Sequence, residues 1–405
     1  MKPIVRAGRM KPVHSDIRGP LFVEAMKRQK QGIDILKLNT GNPATFGFGL
    51  PDSIKNALLE HMQDGDGYCD FKGMPQARQA ICDYETSKGI KGITSDDVFI
   101  GNGVSEVVSF ALTPLLNDGD EVLVPSPSYS LWGNSIYLEG GKPVFYTCDE
   151  KANWYPDIKD IRSKITDKTK AIVIINPNNP TGVLYPKELL LEIIQIARES
   201  GLLIFADEIY DRLVMDGKQH ISLASLTEDV PVITLNGLSK SHCLCGYRCG
   251  WMVISGPREL TEDYRQGIIQ LTSLRLCANT MAQIVIPAAL DDMETPASMV
   301  RPGGRIYEQR EATVRELEKI DGLSFIKNDA AFYVFPKLDV KKFNITNDKQ
   351  FAHDLLDATN ILLVPGSGFD WKDPDHFRIV MLPQADILSD AIRRMGTFLD
   401  GYKQK

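Results

Sequence analysis

The stretch NGLSKSHCLCGYRCGW, residues 236–251, decides how the rest of this chain is interpreted. Lys240 comes soon after the short apolar run 232–235, and Arg248 follows eight positions later with a glycine two positions away on either side. These glycines would let the backbone turn tightly, so that Arg248 could return toward Lys240.

The two cations in this stretch suit a ligand that carries both an aldehyde and a phosphate. A lysine amine condenses with an aldehyde, more readily where burial or nearby cations lower its pKa. The planar fork of Arg248 could hold a phosphate. Pyridoxal 5′-phosphate has both groups. The stretch alone leaves open a polar surface loop with two unrelated cations.

Length and composition limit the classes of protein to consider. At 405 residues and 45.1 kDa, we expect a large domain and a smaller one. A net charge of −7 without a block of Lys or Arg argues against nucleic acid or anionic membrane as partners. No apolar segment follows the basic N-terminal residues, so we expect neither a signal peptide nor a membrane span, and a cytoplasmic protein.

The seven cysteines are an odd number spread over a long chain and do not suggest a disulfide framework. His242, Cys243, Cys245 and Cys249 could be considered as zinc ligands. Zinc sites usually pair their ligands as C-x2-C or H-x3-H, whereas one residue separates Cys243 from Cys245 and no second pair follows. We therefore expect no metal.

Between residues 97 and 255 the pattern alternates between strands and helices. Short Val- and Ile-rich runs alternate with amphipathic helical segments such as 104–116 and 186–200. The runs are 98–100, 121–124, 171–175, 202–206 and 232–235. This pattern predicts an α/β fold with a mostly parallel sheet covered by helices, in which ligands bind beyond the carboxyl ends of the strands.

The flanking segments predict a second, α+β layer. We expect helices at 18–31, with Asp16 as cap, and at 51–64, 75–88 and 257–290, the last linking the two domains. The remainder predicts helices near 304–319, 348–358 and 385–399 and strands near 323–326, 331–335 and 376–381. The expected division is a segment 1–45 joining the small domain, a large cofactor-binding domain 46–290, and a small domain 291–405.

Residues that directly follow the predicted strands are candidates for a binding site. Gly103, Val104 and Ser105 open a helix whose free amides could bind a phosphate, although a simple helix cap explains them equally well. They do not form a G-x-G-x-x-G dinucleotide motif, because Glu106 occupies the last glycine position. Tyr129 could stack on a planar ring or pack in the core.

Two further strands end in polar groups. In INPNNPTG, Asn179 could donate its amide to a ring hydroxyl. In ADEIYD, Asp207 ends an apolar run and is costly to bury without a cation, which a protonated pyridine nitrogen would supply. We expect Glu208 and Asp211 to be solvated.

Elsewhere, Arg378 lies in the apolar string HFRIVMLP, where either a ligand carboxylate or an internal acidic side chain would be its partner. Gly41, in NTGNPA, would allow close approach to a ligand or form a surface turn. No role follows for Arg275.

These motifs together resemble the class I/II aminotransferases, which are fold type I pyridoxal-phosphate enzymes. The matching strings are S-K-x5-G-x-R-x-G at Lys240, Y-x4-G from Tyr68 to Gly73, and N-P-T-G at Asn179. The resemblance covers about residues 16–400. It implies a homodimer, with Tyr68 reaching the cofactor phosphate of the other subunit. One departure is Gly237, where the family often has a phosphate-binding serine; Ser239 or Ser241 could compensate.

The resemblance also assigns roles to the candidate residues. Lys240 would hold the cofactor and act as base, Tyr210 would bond the ring hydroxyl, and Gly41 and Arg378 would bind the substrate carboxylate. The other cofactor contacts would be Tyr68, Val104, Ser105, Tyr129, Asn179, Asp207, Ser239 and Arg248. Burial and nearby cations would have to keep Lys240 neutral enough to act.

Within the family, strings such as DIRGPLFVEA and GYCDFKG most resemble bacterial glutamate–pyruvate (alanine) aminotransferases. The implied reaction exchanges an amino group between L-alanine and 2-oxoglutarate. Arg18 is a candidate for binding the distal carboxylate of glutamate. The alternatives are an aspartate, aromatic or other aminotransferase or a β-lyase on the same scaffold, and a non-enzymatic sensor protein of similar fold.

Overall fold

A computed structural model describes residues 3–405, and an eight-stranded sheet forms the centre of the structure. Cys249–Ser255 and the short edge strand Tyr155–Pro156 run antiparallel to their neighbours, and the other neighbouring pairs are parallel. In spatial order the strands are Val98–Asn102, Cys249–Ser255, Val232–Gly237, Leu203–Asp207, Thr169–Ile175, Glu121–Ser126, Lys142–Asp149 and Tyr155–Pro156. The predicted mostly parallel α/β sheet is confirmed.

Helices cover both faces of this sheet, which explains why its inner strands are almost continuously apolar. The five predicted runs all form strands, and several extend further toward their polar carboxyl ends than expected. The helices around the sheet are Asp52–His61, Pro75–Ser87, Val104–Leu112, Leu131–Leu138, Ile158–Lys164, Lys187–Ser200, Leu238–Ser241, Arg258–Arg275, Thr280–Ile284 and Ile286–Asp291.

The segment 257–290 is not one helix as expected. Its first helix ends at Arg275, because Leu276 has a left-handed backbone with φ of 76° and breaks the hydrogen-bond ladder. Thr280–Ile284 and Ile286–Asp291 then continue in a new direction. Among residues 3–405 no single helix is long and apolar enough to cross a membrane; Arg258–Arg275 and Thr280–Asp291 meet that test only as a pair bent by 120°.

The N- and C-terminal parts form the second layer together. Leu36–Lys37 pairs in parallel with Ile361–Leu362, and Phe377–Val380 lies between Tyr333–Val334 and Val364–Pro365. Leu323–Ser324 pairs with Lys337–Leu338. The helices of this layer are Pro20–Lys30, Glu294–Val300, Arg305–Leu317, Asp348–Thr359 and Ala385–Asp400. The division at residues 45 and 290 stays a prediction, and residues 1–2 of its first segment lie outside the described part.

Single 3₁₀ turns connect several of these elements. They are Gly8–Met10, Pro43–Phe46, Met62–Gly65, Ser95–Asp97, Glu150–Ala152, Leu223–Leu226 and Gly366–Phe369.

The expected cap of the first long helix is wrong. The helix begins at Pro20 after Gly19 and has no side-chain cap, because Asp16 pairs instead with His14 and Lys349. Hydrogen bonds to Asp16 and then to Asp370 raise the pKa of His14 to about 9. The resulting imidazolium fastens the N-terminal segment to the body of the protein.

Candidate active site

A cavity of about 600 Å³ lies at the carboxyl ends of the parallel strands, between the sheet and the second layer. Apart from Tyr68, all the candidate residues line this cavity. They are Arg18, Gly41, Val104, Ser105, Tyr129, Asn179, Asp207, Tyr210, Ser239, Lys240, Arg248 and Arg378. Side chains separated by up to 360 residues in sequence thus share one enclosed space.

Lys240 lies in the short helix Leu238–Ser241 that follows the strand Val232–Gly237. Its half-buried amine donates to the Gly41 carbonyl over 2.8 Å and lies 4.0 Å from the Cys245 sulfur. Burial lowers the pKa of the amine, but the nearby phenol of Tyr333 and thiol of Cys245 outweigh burial, so its pKa lies above the ordinary value. Arg378 also lowers this pKa, so burial and a nearby cation act in the expected direction, but in the free amine they do not outweigh the groups that raise it.

Asp207 ends the strand Leu203–Asp207 and is 4% exposed. Its carboxylate accepts the Trp132 indole N–H over 3.1 Å, and within residues 3–405 it forms no ion pair. Burial raises its pKa to about 6, and the hydrogen bond from Trp132 only partly opposes that rise. The cavity therefore holds a buried acid whose charge no ion pair within residues 3–405 neutralises.

Arg378 lies in the second layer and carries a charge opposite to that of Asp207. It is 1% exposed, donates to the Asn179 side-chain oxygen over 2.9 Å and to the Asn39 carbonyl, and stacks on Tyr333 and Phe369. Its Nε has no hydrogen-bond partner, and no acidic side chain of the described chain pairs with it. The internal salt bridge considered above is therefore absent from residues 3–405.

Tyr210 and Tyr333 close the wall between Asp207 and Arg378. Their hydroxyl groups are hydrogen bonded over 2.9 Å, and both line the cavity. Tyr333 was missed at the level of sequence, as were the contacts of Trp132 and Asn39. The sequence around each of these three residues is typical of a core segment or a turn. Only the tertiary contact shows that the residue belongs to the site.

An anion cradle lies at the start of the helix Val104–Leu112. The backbone N–H groups of Val104 and Ser105 donate to no carbonyl of the described chain in this first turn, so they remain available as donors. Gly103 has φ of 83°, and a Cβ there would collide with the Arg248 guanidinium. Arg248 itself is exposed and donates to the Cys245 carbonyl over 2.9 Å. These amides and the guanidinium converge where a phosphate could bind.

Gly237, at the position where the resembling family often has a phosphate-binding serine, packs closely against the neighbouring strand. A Cβ there would meet the Cys249 carbonyl oxygen at 2.6 Å. Ser239 lines the cavity and Ser241 is buried with its hydroxyl against His242. Of the two compensating serines, Ser239 is therefore the one that faces the cavity.

Arg18 and Gly41 also line the cavity. A Cβ at Gly41 would collide with the rings of Phe332 and Tyr333, so glycine is required for this packing. Arg18 is exposed and makes no hydrogen bond to the described part of the chain.

Tyr68 stands apart from this cavity. It is 82% exposed and lines a separate surface depression with Asn102 and Asn279. Arg275 has a structural role, because it pairs with Glu106 at 2.6 Å and donates to the carbonyls of Phe71 and Ile100.

Glu208 and Asp211 are not solvated as expected. They are 2% and 9% exposed and both contact Lys88, because neither side chain of this turn lines the cavity. Together with His220 they form the one group within residues 3–405 whose ligand atoms lie close enough for a metal; the cysteines near Lys240 do not form such a group.

Comparison with known proteins agrees with this geometry. The chain is 50% identical to the glutamate-pyruvate aminotransferase AlaA of Haemophilus influenzae, and the match covers 100% of both chains. It is 45% identical to the alanine aminotransferase of Mycobacterium bovis, over 100% of this chain and 94% of that protein. The crystal structure of an Escherichia coli aminotransferase superposes with a TM-score of 0.98 at 46% identity, with both chains covered completely. The profile of the family "Aminotransferase class I and II" matches residues 33–392, and the chain belongs to this family.

Proposed function

We propose that this protein is an alanine transaminase: it transfers the amino group of L-alanine to 2-oxoglutarate, giving pyruvate and L-glutamate, with pyridoxal 5′-phosphate as cofactor. The observation that carries the proposal is the placement of Asp207 and Arg378 in the cavity that contains Lys240. They are two buried opposite charges that form no ion pair within residues 3–405. Each charge needs a ligand group of opposite sign.

The side chains present fit pyridoxal 5′-phosphate, and members of the class I and II aminotransferase family depend on this cofactor. The Val104 and Ser105 amides, Ser239 and Arg248 would hold the phosphate, and Asp207 would pair with the ring nitrogen. Tyr129 would stack on the ring, and the Asn179 amide nitrogen, which has no protein partner among residues 3–405, would donate to the ring hydroxyl beside Tyr210. When bound, the group supplies an electron-accepting ring that carries the amino group between the two half-reactions.

Lys240 would act twice. Its amine would first hold the aldehyde carbon of the cofactor and, once displaced by the substrate, would move the proton from the substrate α-carbon to that carbon. Gly41 keeps the amine in place through its carbonyl, 2.8 Å from Nζ. Asp207, kept anionic by its ring partner, would keep the ring electron-withdrawing.

Arg378 would bind the α-carboxylate common to all the substrates, since Asn179 and Asn39 already fix its guanidinium. For the distal carboxylate of glutamate, Arg18 is the candidate, because it lines the cavity and its guanidinium has no partner in the described part of the chain. The N-terminal segment that carries Arg18 would then also exclude water.

The same proposal includes a cytoplasmic homodimer with shared active sites. Tyr68 is exposed on the surface of the single chain, where it could reach the phosphate site of a second copy. All seven cysteines are free, which suits a reducing compartment.

Steady-state kinetics with a panel of amino donors tests the proposal. We expect the highest kcat/KM for alanine and glutamate, with aspartate and tyrosine well below both. A preference for aspartate or an aromatic amino acid would favour the other aminotransferases considered above, and a protein that binds the cofactor without turnover would favour a sensor.

A further inference from the structure

A buried cluster of charged side chains lies next to the turn that carries Asp207 and Tyr210 but contributes nothing to the cavity wall. Lys88 forms its centre: Nζ lies 2.7 Å from Glu85, 2.7 Å from Glu208 and 3.1 Å from Asp211. The three acids are 0%, 2% and 9% exposed. One ammonium group thus holds three buried carboxylates.

The turn from residue 207 to residue 211 has two faces. Asp207 and Tyr210 line the cavity, whereas Glu208 and Asp211 point into the cluster. Glu208 also accepts hydrogen bonds from the Ser222 hydroxyl at 2.9 Å and the Leu223 amide at 3.0 Å. Glu208, between the two cofactor contacts, and Asp211, directly after them, are therefore held from outside the site.

Asp211 connects the cluster to the strand that leads to Lys240. Its Oδ2 accepts from the Asn236 amide at 2.7 Å and from the Tyr84 hydroxyl at 2.5 Å. Asn236 lies four residues before Lys240, in the strand Val232–Gly237. The cluster thus contacts both the turn that carries Asp207 and the strand that leads to Lys240.

Lys88 supplies the positive charge that this cluster needs. The ligand atoms of Glu208, Asp211 and His220 lie within 4.8 Å of one another, but the ammonium group already contacts both carboxylates. Arg212, the other cation nearby, stacks on the Tyr84 ring with its guanidinium 4.3 Å from the centroid. Without Lys88 the buried acids would repel one another, and the turn would shift to admit water or protons.

We propose that Lys88 is a positioning residue: by binding Glu208 and Asp211 it fixes the turn 207–211 and so places Asp207 and Tyr210 against the cofactor. The inference rests on the proposed function, because it concerns the cofactor contacts of that site. A displacement of about 1 Å at such contacts costs on the order of 100-fold in function.

The test compares Lys88→Met and Lys88→Arg with a matched control, Arg265→Met. Arg265 is another buried cation, 4% exposed and paired with Asp97 at 2.6 Å, and it lies outside the cavity. For each protein we would measure the thermal midpoint of unfolding and the dissociation constant for pyridoxal phosphate added to the cofactor-free form. We would also measure the pH midpoint at which the visible absorption band of the bound cofactor changes from its low-pH to its high-pH form.

Lys88→Met and Arg265→Met should both lower the thermal midpoint, but only Lys88→Met should weaken cofactor binding, on the order of tenfold or more, and shift the pH of band conversion. Lys88→Arg should restore both values. Wild-type affinity and band conversion in Lys88→Met, or equal shifts in Arg265→Met, would overturn the proposal.

Glu208→Gln provides a second test if Lys88→Met does not fold, since it keeps the shape of the cluster and the hydrogen bonds from Ser222 and Leu223. It should shift the band conversion in a folded protein, and an unchanged band would also overturn the proposal. A wild-type protein that binds no pyridoxal phosphate would instead refute the proposed function itself.

Discussion

The Arg378 guanidinium donates to the Asn179 side-chain oxygen over 2.9 Å, joining the second layer to the turn that follows a strand of the central sheet. Within residues 3–405, Nε of Arg378 has no hydrogen-bond partner. The bond uses only the oxygen of the Asn179 side chain, so its amide nitrogen is left to donate elsewhere. One contact between layers therefore orients a group for the substrate and a group for the cofactor.

Replacing Arg378 by lysine should weaken the binding of every substrate. A lysine cannot form the planar two-point contact with a carboxylate, so kcat/KM should fall roughly 10- to 100-fold for alanine and 2-oxoglutarate alike. Steady-state kinetics would measure this fall. Arg310→Lys is the matched control: Arg310 is fully buried and pairs with Asp216 outside the cavity. Equal losses in both variants would count against a carboxylate site at Arg378.

Asp207→Asn should stabilise the cofactor-free protein while abolishing tight cofactor binding. The folded pKa of Asp207, about 6, exceeds its ordinary value of 3.8, so the ionised form penalises the folded state. The penalty is fully present above pH 6 and disappears as pH falls through 6 toward 3.8. Denaturant unfolding should therefore show Asp207→Asn more stable by roughly 1 to 3 kcal/mol at pH 8, and by less at pH 5. A variant less stable than wild type at both pH values would contradict this.

Arg18→Ala should separate the two amino donors. Glutamate carries a second carboxylate and alanine does not, so kcat/KM should fall for glutamate and stay near the wild-type value for alanine. Arg9→Ala, an exposed residue of the same N-terminal segment that does not line the cavity, controls for general effects of charge. Parallel losses for both donors would remove Arg18 from the specificity site.

Two impaired variants should restore each other if Tyr68 acts across a dimer. A heterodimer of Lys240→Ala and Tyr68→Ala contains one site with both native residues, one from each chain. Unfolding and refolding the mixture should yield activity above that of Tyr68→Ala alone, approaching one native site per heterodimer. Activity no greater than the sum of the separate variants would place Tyr68 outside the partner's site.

The architecture followed from local pattern, since apolar runs bounded by polar turns located all five predicted strands of the sheet. The candidate residues followed from a rule of the fold, because the carboxyl ends of parallel strands meet along one edge. Asn179, Asp207 and Lys240 each come at or soon after such an end.

What escaped prediction depends on contacts between distant segments. From sequence alone Tyr333 is predicted to be a core aromatic, and only the fold shows its hydroxyl bonded to Tyr210. Glu208 is predicted to be solvated, and only the fold shows that it pairs with Lys88, which lies 120 positions earlier. The direction of the Lys240 pKa shift had the same cause, since Tyr333 and Cys245 outweigh burial. Such balances are fixed by the fold, and no local string records them.

The visible absorption spectrum of the purified protein, before and after adding L-alanine, tests the central claim most directly. We predict a yellow band that moves to shorter wavelength with alanine and returns when 2-oxoglutarate is added. A yellow protein whose band alanine leaves unchanged would contradict the alanine assignment, and one that stays colourless when pyridoxal phosphate is supplied would contradict the role of Lys240.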